Sequence, residues 1–408
     1  MKELIFILFF FSGLIKSVLN YYNINSYIDI TFLSSLFVIL YLIYDISINH
    51  FKFNIHKNKI ISIASLLFFY FLMIISISYS ESPNYKYEKT LLFSLNIIAF
   101  LYPILIKAFN TKRFLKQNII ITILLSFWYI WISGNVKSID YQSIQYHIYA
   151  SFYLASSLML GLNLIILTTS QQLIFSTKKQ QTIISFIIFI TMLLTRGRGP
   201  LIFSFLIIVI FYLYQFLKQK QLLLRVVSLI NNIKLFFLSG IIFLFIYIPN
   251  YSTFNKMIST TVTRLLLLIP HPFSNTIIEH GDSVDTRVSQ IKESFNLIFD
   301  NIYNFIFGYG IGSYGFITKG IDVRLYPHNI FIEIMVEMGI IGLLSFILFA
   351  ITTQYSSINK NKFISSFVIF YLLLNMLKSS SITDIRIYFA IFAIYIVSSI
   401  KKSNSYEN

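Results

Sequence analysis

The chain has 408 residues, of which 56% are hydrophobic and only 12% are charged. A soluble domain is about a quarter charged, so this composition excludes a soluble enzyme and predicts a polytopic membrane protein with an all-α fold. The net charge of +16 is attributed to loop lysines that set membrane topology, so no nucleic-acid partner is expected, and the absence of cysteine excludes disulfides and thiolate chemistry.

Apolar stretches of about 17–25 residues mark candidate transmembrane helices. The first is interpreted as a retained helix, since no small-residue cleavage site follows it. Lysine-rich loops alternate with less basic ones, which places both termini in the cytoplasm. About twelve spans are predicted, at residues 3–20, 28–48, 60–79, 90–108, 118–134, 147–169, 182–195, 199–217, 233–250, 329–352, 363–378 and 387–400.

Three regions follow from these spans. Residues 1–250 form an N-terminal transmembrane bundle of about nine spans, and residues 328–408 form the C-terminal spans and a short cytoplasmic tail. The connection between them, residues 251–327, falls on the outer face. Long loops without a function are uncommon, and the apolar patches in this one predict short amphipathic helices over the membrane surface.

Arginine is unevenly distributed between the two predicted faces. The guanidinium group forms paired hydrogen bonds with phosphate oxygens, and topology alone does not require this split. A phosphorylated ligand such as a lipid diphosphate is therefore predicted outside; the alternative is chance combined with snorkelling to lipid head groups. The inner face has only Arg113 and Arg225, whereas the outer face has Arg196, Arg198, Arg264, Arg287, Arg324 and Arg386.

The segment "LLTRGRGPLI" (193–202) places Arg196 and Arg198 between two spans. Gly197 and Gly199 permit a tight turn that brings both arginines close to a bound group. The alternative is a turn that two arginines anchor to lipid head groups.

The segment "DSVDTRVSQIKESFNLIFD" (282–300) predicts a helix capped by Asp285 or Thr286, with Arg287 in its first turn. Arginine opposes the helix dipole there, which indicates an anion held near this N-terminus. The alternative is a solvated surface arginine.

The segment "FGYGIGSYGF" (307–316) has GxGxxG spacing at Gly310, Gly312 and Gly315. A dinucleotide site needs a preceding strand and a βαβ unit, which an outer loop of a helical membrane protein does not offer. The segment is interpreted as a flexible hairpin that approaches a ligand.

The segment "YPHNIFIEIMVEMGIIG" (326–342) places His328 at the outer membrane interface, after Pro327. Histidine titrates near physiological pH, so it can exchange a proton there; the alternative is an interfacial anchor. Glu333 and Glu337 share one helix face inside the bilayer, where ionisable groups are usually functional.

Four segments in this order resemble the O-antigen ligase and polymerase family: "TRGRGPLI", "DTRVSQIKESFNLI", "GYGIGSYG" and "PHNIFIEIMVEMGIIGLLSF". The resemblance covers roughly residues 185–350. It implies a transferase of the bacterial inner membrane whose active site faces the periplasm or exterior. The donor is a glycan on undecaprenyl diphosphate, and the other partners are membrane lipids, a chain-length regulator and a flippase.

The resemblance also implies residue roles. Arg196 or Arg198, together with Arg287, corresponds to the arginines that bind diphosphate, and His328 of the "HN" pair corresponds to the base. The chain has two arginines where the family often has one, so the choice between them stays open, and Gly197 stands where a small hydroxyl residue is common. Supporting roles are assigned to Asn329, Glu333, Glu337, Arg264, Arg324, Gly310 and Gly312.

The predicted function is polymerisation of undecaprenyl-diphosphate-linked repeat units into O-antigen or capsular polysaccharide. The first alternative is an O-antigen ligase that transfers the glycan to lipid A–core. Arginines take the place of a metal and no cofactor is expected; "DSVD" (282–285) only approaches an acidic metal motif. The second alternative is a lipid-linked glycan transporter, which would have its sites near the midplane; predicted mid-span charges are few, namely Lys16, Asp45, Lys107, Glu333 and Glu337.

Overall fold

The computed structural model describes residues 1–22, 24, 29–49, 57–135, 144–195, 197–218, 282–356 and 364–398. These residues form α-helices and two short 3-10 helices, and the described part contains no strand. The α-helices are α1 (Lys2–Tyr21), α2 (Ile30–Ile48), α3 (Lys57–Ser76), α4 (Tyr85–Leu105), α5 (Thr111–Asn135), α6 (Ile144–Thr169), α7 (Lys178–Leu194), α8 (Arg198–Lys218), α9 (Asp282–Ile298), α10 (Ile302–Phe307), α11 (Tyr314–Lys319), α12 (Ile330–Ser356), α13 (Ser366–Ser379) and α14 (Arg386–Ser398).

Eight of the described helices are long and apolar enough to cross a membrane: α1 to α6, α8 and α12. The helices α13 and α14 are apolar but shorter, and α7 has 17 residues. The all-helical, multi-pass fold is therefore confirmed for the described residues. Eleven of the twelve predicted spans overlap a described helix, and the span predicted at 233–250 lies outside the described residues, so the number twelve and the topology stay predictions.

Neighbouring helices are held in register by polar contacts between their apolar surfaces. Asn118 of α5 donates to Asn163 of α6 at 2.6 Å, and Ser65 of α3 lies 2.7 Å from the hydroxyl of Thr352 near the end of α12. The helix α14 lies at the centre of the bundle, since its residues 388–396 are all buried. It packs on α4, which itself begins next to the start of α12.

A buried ion cluster joins α4 to α12. Lys89 Nζ lies 2.5 Å from Glu333 Oε1 and 2.8 Å from Glu337 Oε1, and all three side chains are inaccessible to solvent or nearly so. Glu333 also accepts hydrogen bonds from Ser381 Oγ at 2.9 Å and from the backbone N–H of Ile382 at 3.0 Å. We call Lys89, Glu333 and Glu337 the ion cluster. It fixes α4, α12 and the turn after α13 relative to one another.

The helix α12 is broken at Gly339, whose φ is 63°. The break frees two carbonyl groups, and the hairpin after α10 binds them: Tyr309 N–H donates to Val336 O at 2.9 Å, and Gly310 N–H donates to Glu337 O at 2.8 Å. A Cβ on Gly339 would lie 2.2 Å from Ile306 O. Glycine is needed here both for its positive φ and for this close approach of two backbones.

Two glycines of the GxGxxG segment also combine a positive φ with a close approach of two backbones. Gly310 and Gly312 have φ values of 87° and 79°. A Cβ on Gly310 would lie 2.2 Å from Ser80 Cα, and one on Gly312 would lie 3.0 Å from Lys86 Cα. These glycines permit a close approach to the chain's own backbone, at Ser80 in the turn before α4 and at Lys86 in the first turn of α4.

Three helices form within residues 251–327, over the part that the structure describes: α9, α10 and α11. Their place on the outer face stays a prediction. Two details of the prediction were wrong: Asp285 and Thr286 lie inside the helix and do not cap it, and Arg287 is not in the first turn. The helix α9 begins at Asp282, so Arg287 lies in its second turn and not its first. Arg287 therefore lies too far along α9 to oppose the helix dipole strongly, because the dipole effect is confined to the first turn.

Replacing Lys89 tests the ion cluster. Lys89→Met leaves two buried carboxylates without a counter-charge, which should destabilise the fold by about 3–5 kcal/mol and lower the thermal midpoint in detergent. Lys89→Met combined with Glu333→Gln and Glu337→Gln should recover much of this loss. Lys86→Met, on the same helix but only half-buried, is the control. Equal midpoints for Lys89→Met and Lys86→Met would contradict a stabilising role.

Alanine at two glycines separates close approach from backbone strain. Gly310 and Gly320 both have positive φ, 87° and 67°, so alanine costs about 1–2 kcal/mol at either. A Cβ at Gly310 would also overlap Ser80, whereas one at Gly320 meets nothing within 4 Å. Gly310→Ala should therefore lower the thermal midpoint clearly more than Gly320→Ala. Equal shifts would show that strain alone explains Gly310.

Candidate functional site

Basic side chains from three helices lie close enough for the charges of two of them to act on the third. Arg198 is the first residue of α8, Arg287 lies in α9, and Lys378 lies in the last turn of α13. The positive charges of Arg287 and Arg198 both act on Lys378. We call Arg198, Arg287 and Lys378 the cationic cluster. The members of the cluster are separated by up to 180 positions in the sequence. They come from three different helices.

Lys378 reaches this cluster by crossing α8 at a glycine. A Cβ on Gly199 would lie 2.1 Å from Lys378 Nζ, so the ammonium group occupies the space that a side chain at residue 199 would fill. The ammonium also lies 5.9 Å from the ring centroid of Phe203, one turn further along α8, within the range of a cation–π contact. Lys378 is half-buried.

Arg287 and Lys378 have no carboxylate within 4 Å among the described side chains. The ion pairs of the described residues are Lys16–Asp29, Lys89 with Glu333 and Glu337, and Arg324–Asp384. Like charges that lie close together in a poorly solvated site repel each other strongly. A bound anion would offset this repulsion, so the electrostatics of the cationic cluster favour a negatively charged ligand.

His328 lies beside the cationic cluster, immediately before α12. Burial, and then the positive charge of Arg287, lower the pKa of His328 below its usual value of 6.5. Its ring packs edge-on against Tyr326 with centroids 4.6 Å apart. No hydrogen bond joins its side chain to any described residue. A half-buried imidazole that stays neutral at physiological pH is able to accept a proton.

The backbone of His328 is in an uncommon conformation, with φ at 57°. Few residues other than glycine adopt positive φ, although histidine does so more often than most. The following residue, Asn329, caps α12: its Oδ1 accepts from Phe331 N–H at 3.0 Å and from Ile332 N–H at 3.3 Å. Strained backbone of this kind often occurs at functional sites, and here the cap on α12 holds it in place.

The structure brings together some of the predicted site residues and separates others. The charge of Arg287 acts on His328 and, together with that of Arg198, on Lys378. Arg324 pairs with Asp384, which lies in the turn before α14. Glu333 and Glu337 are paired with Lys89. Arg196 and Arg264 lie outside the described residues, so the choice between Arg196 and Arg198 stays open.

Sequence reasoning missed Lys89 and Lys378. The fourth predicted span begins at residue 90, one residue too late to include Lys89. Lysines were attributed to topology, so Lys378 was passed over, although it ends the span predicted at 363–378 on the same face as the outer arginines. That position was the one available signal. Among the described residues, no group of three or more His, Asp or Glu side chains is arranged to hold a metal ion.

Residues 183–347 match the family model described as O-Antigen ligase. This range contains Arg198, Arg287, His328 and the glycine hairpin; Lys89 and Lys378 lie outside it. A comparison with curated proteins found no match. The match supports a role in glycan processing at a membrane. Together with the order of the motifs and the multi-pass helical fold, this match supports the resemblance to the O-antigen ligase and polymerase family.

Proposed function

We propose that the protein is a membrane glycosyltransferase that polymerises oligosaccharide repeat units carried on undecaprenyl diphosphate. The reaction takes place at the outer face of the bacterial inner membrane and gives O-antigen or capsular polysaccharide. The observation that carries the proposal is the cationic cluster beside a half-buried histidine. An anion held by the cluster would lie next to a group that accepts protons, which is the arrangement that glycosyl transfer from a diphosphate requires.

In the proposed reaction, a sugar hydroxyl of the acceptor attacks the anomeric carbon of the donor glycan. A bond forms between the hydroxyl oxygen and this carbon, and the hydroxyl proton passes to the neutral imidazole of His328. General base catalysis of this kind contributes about 10²–10⁴-fold in rate. The bond between the anomeric carbon and the diphosphate oxygen breaks, and the electron pair stays on that oxygen.

The arginines would hold the diphosphate and stabilise the charge that develops on the departing oxygen. Preorganised donors aimed at developing charge are often the largest contribution to catalysis. Arginine suits this role because its planar fork matches two phosphate oxygens at once. The proposal therefore includes metal independence, and the lipid diphosphate supplies the driving force without ATP.

Two other functions remain as alternatives. An O-antigen ligase would use the same donor and the same site, and differs only in the acceptor, lipid A–core. The family description supports it directly; we favour the polymerase on the motif "PHNIFIEI", which looks more like that of polymerases. A transporter of lipid-linked glycans would need no base. The buried charges Lys89, Glu333 and Glu337 pair with one another, which supports a structural role for them and not a transport site.

The experiment that tests the function uses purified protein in detergent with lipid-linked repeat units. A polymerase elongates the glycan, a ligase does so only onto added lipid A–core, and a transporter leaves the repeat unit unchanged. Product formation should persist in EDTA. Loss of activity in EDTA that Mg²⁺ restores would overturn metal independence, and an unchanged repeat unit under all conditions would overturn a transferase.

Variants of His328 and Arg287 should separate catalysis from donor binding. His328→Ala should abolish transfer and leave donor binding largely intact. Arg287→Ala should weaken donor binding by about 10- to 100-fold, since a charge-assisted hydrogen bond contributes about 1.5–3 kcal/mol. Lys292→Ala, an exposed position on the same helix, is the control. If His328→Ala transfers glycan at nearly the wild-type rate, His328 is an interfacial anchor and not the base.

The pH dependence of transfer should report the charge of Arg287. Neutral His328 is the active form, and its pKa lies below 6.5, so wild-type kcat should fall only at pH values below about 6.5. Arg287→Gln removes a positive charge, which raises the pKa of His328 and moves this acidic limb to higher pH. Arg287→Lys retains the charge and should leave the limb nearly in place. An identical limb in the Gln and Lys variants would show that Arg287 does not act on the base.

A further inference from the structure

Lys378 is positioned by a missing side chain. Its stem crosses α8 at Gly199, where a Cβ would lie 2.8 Å from Lys378 Cδ and 2.9 Å from Lys378 Cε as well as 2.1 Å from Nζ. All three distances are too short for any real contact, so any residue other than glycine at this position would displace the lysine. The ammonium group therefore keeps its place on α8, where the charges of Arg287 and Arg198 act on it, only because residue 199 has no side chain.

This position is costly for a lysine. A flexible ammonium group at the end of a helix usually extends to water, but Lys378 is half-buried and lies where two arginine charges oppose its own. The negative end of the α13 dipole and the Phe203 ring offset part of this unfavourable electrostatic energy. No described carboxylate neutralises it. The arrangement becomes favourable when a ligand with several negative charges is bound.

We propose that Lys378 is a third binding residue for the diphosphate, and that it makes the site selective for the cleaved diphosphate over the uncleaved donor. This inference rests on the proposed function. Lys378 binds the negative charge that appears on the terminal phosphate when the glycan departs, while Arg198 and Arg287 bind the charges already present on the donor diphosphate.

The charge balance of the reaction gives the reason. In the donor, both phosphates are diesters or anhydrides and each carries one negative charge. When the bond from the anomeric carbon to oxygen breaks, the electron pair stays on that oxygen, and the proton of the acceptor goes to His328. The terminal phosphate then carries a second charge, since its second pKa is about 6, and the leaving group has three negative charges in place of two.

Three cations match the leaving group better than they match the donor. An interaction that strengthens as the bond breaks lowers the barrier, whereas one that is equal in both states only tightens substrate binding. Lys378 should therefore affect the rate constant of transfer and the affinity for the product, with little effect on the affinity for the donor.

Binding of two probes tests the inference without an activity assay. The probes are a short-chain prenyl diphosphate, which represents the cleaved product, and the same lipid carrying a sugar on its terminal phosphate. At a pH of about 7.5, above the second phosphate pKa of about 6, wild-type protein should bind the first probe more tightly. Lys378→Met retains the apolar stem and should reduce this preference by about tenfold, the loss of one charged contact. Lys319→Met, an exposed lysine in the last turn of α11, should leave it unchanged.

Gly199→Ala provides an independent variant that keeps the lysine. The added methyl group displaces the end of a flexible side chain and improves helix propensity, so the protein should still fold. It should reduce the preference as Lys378→Met does. The double variant should be no worse than either single variant, because both remove the same contact and their effects are not additive.

The outcomes distinguish the inference from the proposed function. If wild-type protein binds neither probe, the proposed function fails and the inference fails with it. If both probes bind and Lys378→Met keeps the wild-type preference, the inference alone is wrong. If Gly199→Ala and Lys378→Met both lower the preference and do not add, the assignment of Lys378 to the diphosphate is supported.

Discussion

The ion cluster of Lys89, Glu333 and Glu337 is the constraint on which the rest of the site depends. Charges inside a membrane protein are costly unless they are paired and hydrogen-bonded, so α4 and α12 can pack only in the register that brings these groups together. Glu333 also accepts from the backbone of Ile382, just after α13. One carboxylate thus fixes the start of α12, where His328 lies, and the end of α13, where Lys378 lies.

The structure treats its buried and half-buried charges in two opposite ways. In the ion cluster each carboxylate has the lysine within 2.8 Å, so these charges are paired within the protein. In the cationic cluster Arg287 and Lys378 have no described carboxylate partner, and the charges repel one another. The first arrangement stabilises the fold, whereas the second favours the binding of an anion. The glycine hairpin belongs with the first, since its amides bind the carbonyl groups freed at the Gly339 break.

The sequence predicted the helical class and the approximate positions of most of the described helices, whereas the site assigned to Arg198, Arg287 and His328 stays a prediction. The helices were predictable because hydrophobic runs are local signals. Roles that depend on distant partners were not predictable. Glu333 was interpreted as functional because its partner, Lys89, is 244 residues away in the sequence and could not be recognised there. Gly310 and Gly312 were interpreted as ligand contacts because the backbone that they approach lies more than 200 residues earlier in the chain and could not be identified from the sequence. The only local signal for Lys378 was its place at the end of a predicted span, and its packing could not be predicted because it depends on Gly199 of another helix.

A structure of the protein with a bound prenyl diphosphate is the most direct test of the central claim, that the cationic cluster binds the leaving group. The account predicts that the diphosphate lies within hydrogen-bond distance of Arg287 and Lys378, with its terminal phosphate on the side of His328. A diphosphate bound elsewhere, with the cationic cluster occupied by a carboxylate of the protein itself, would contradict the account.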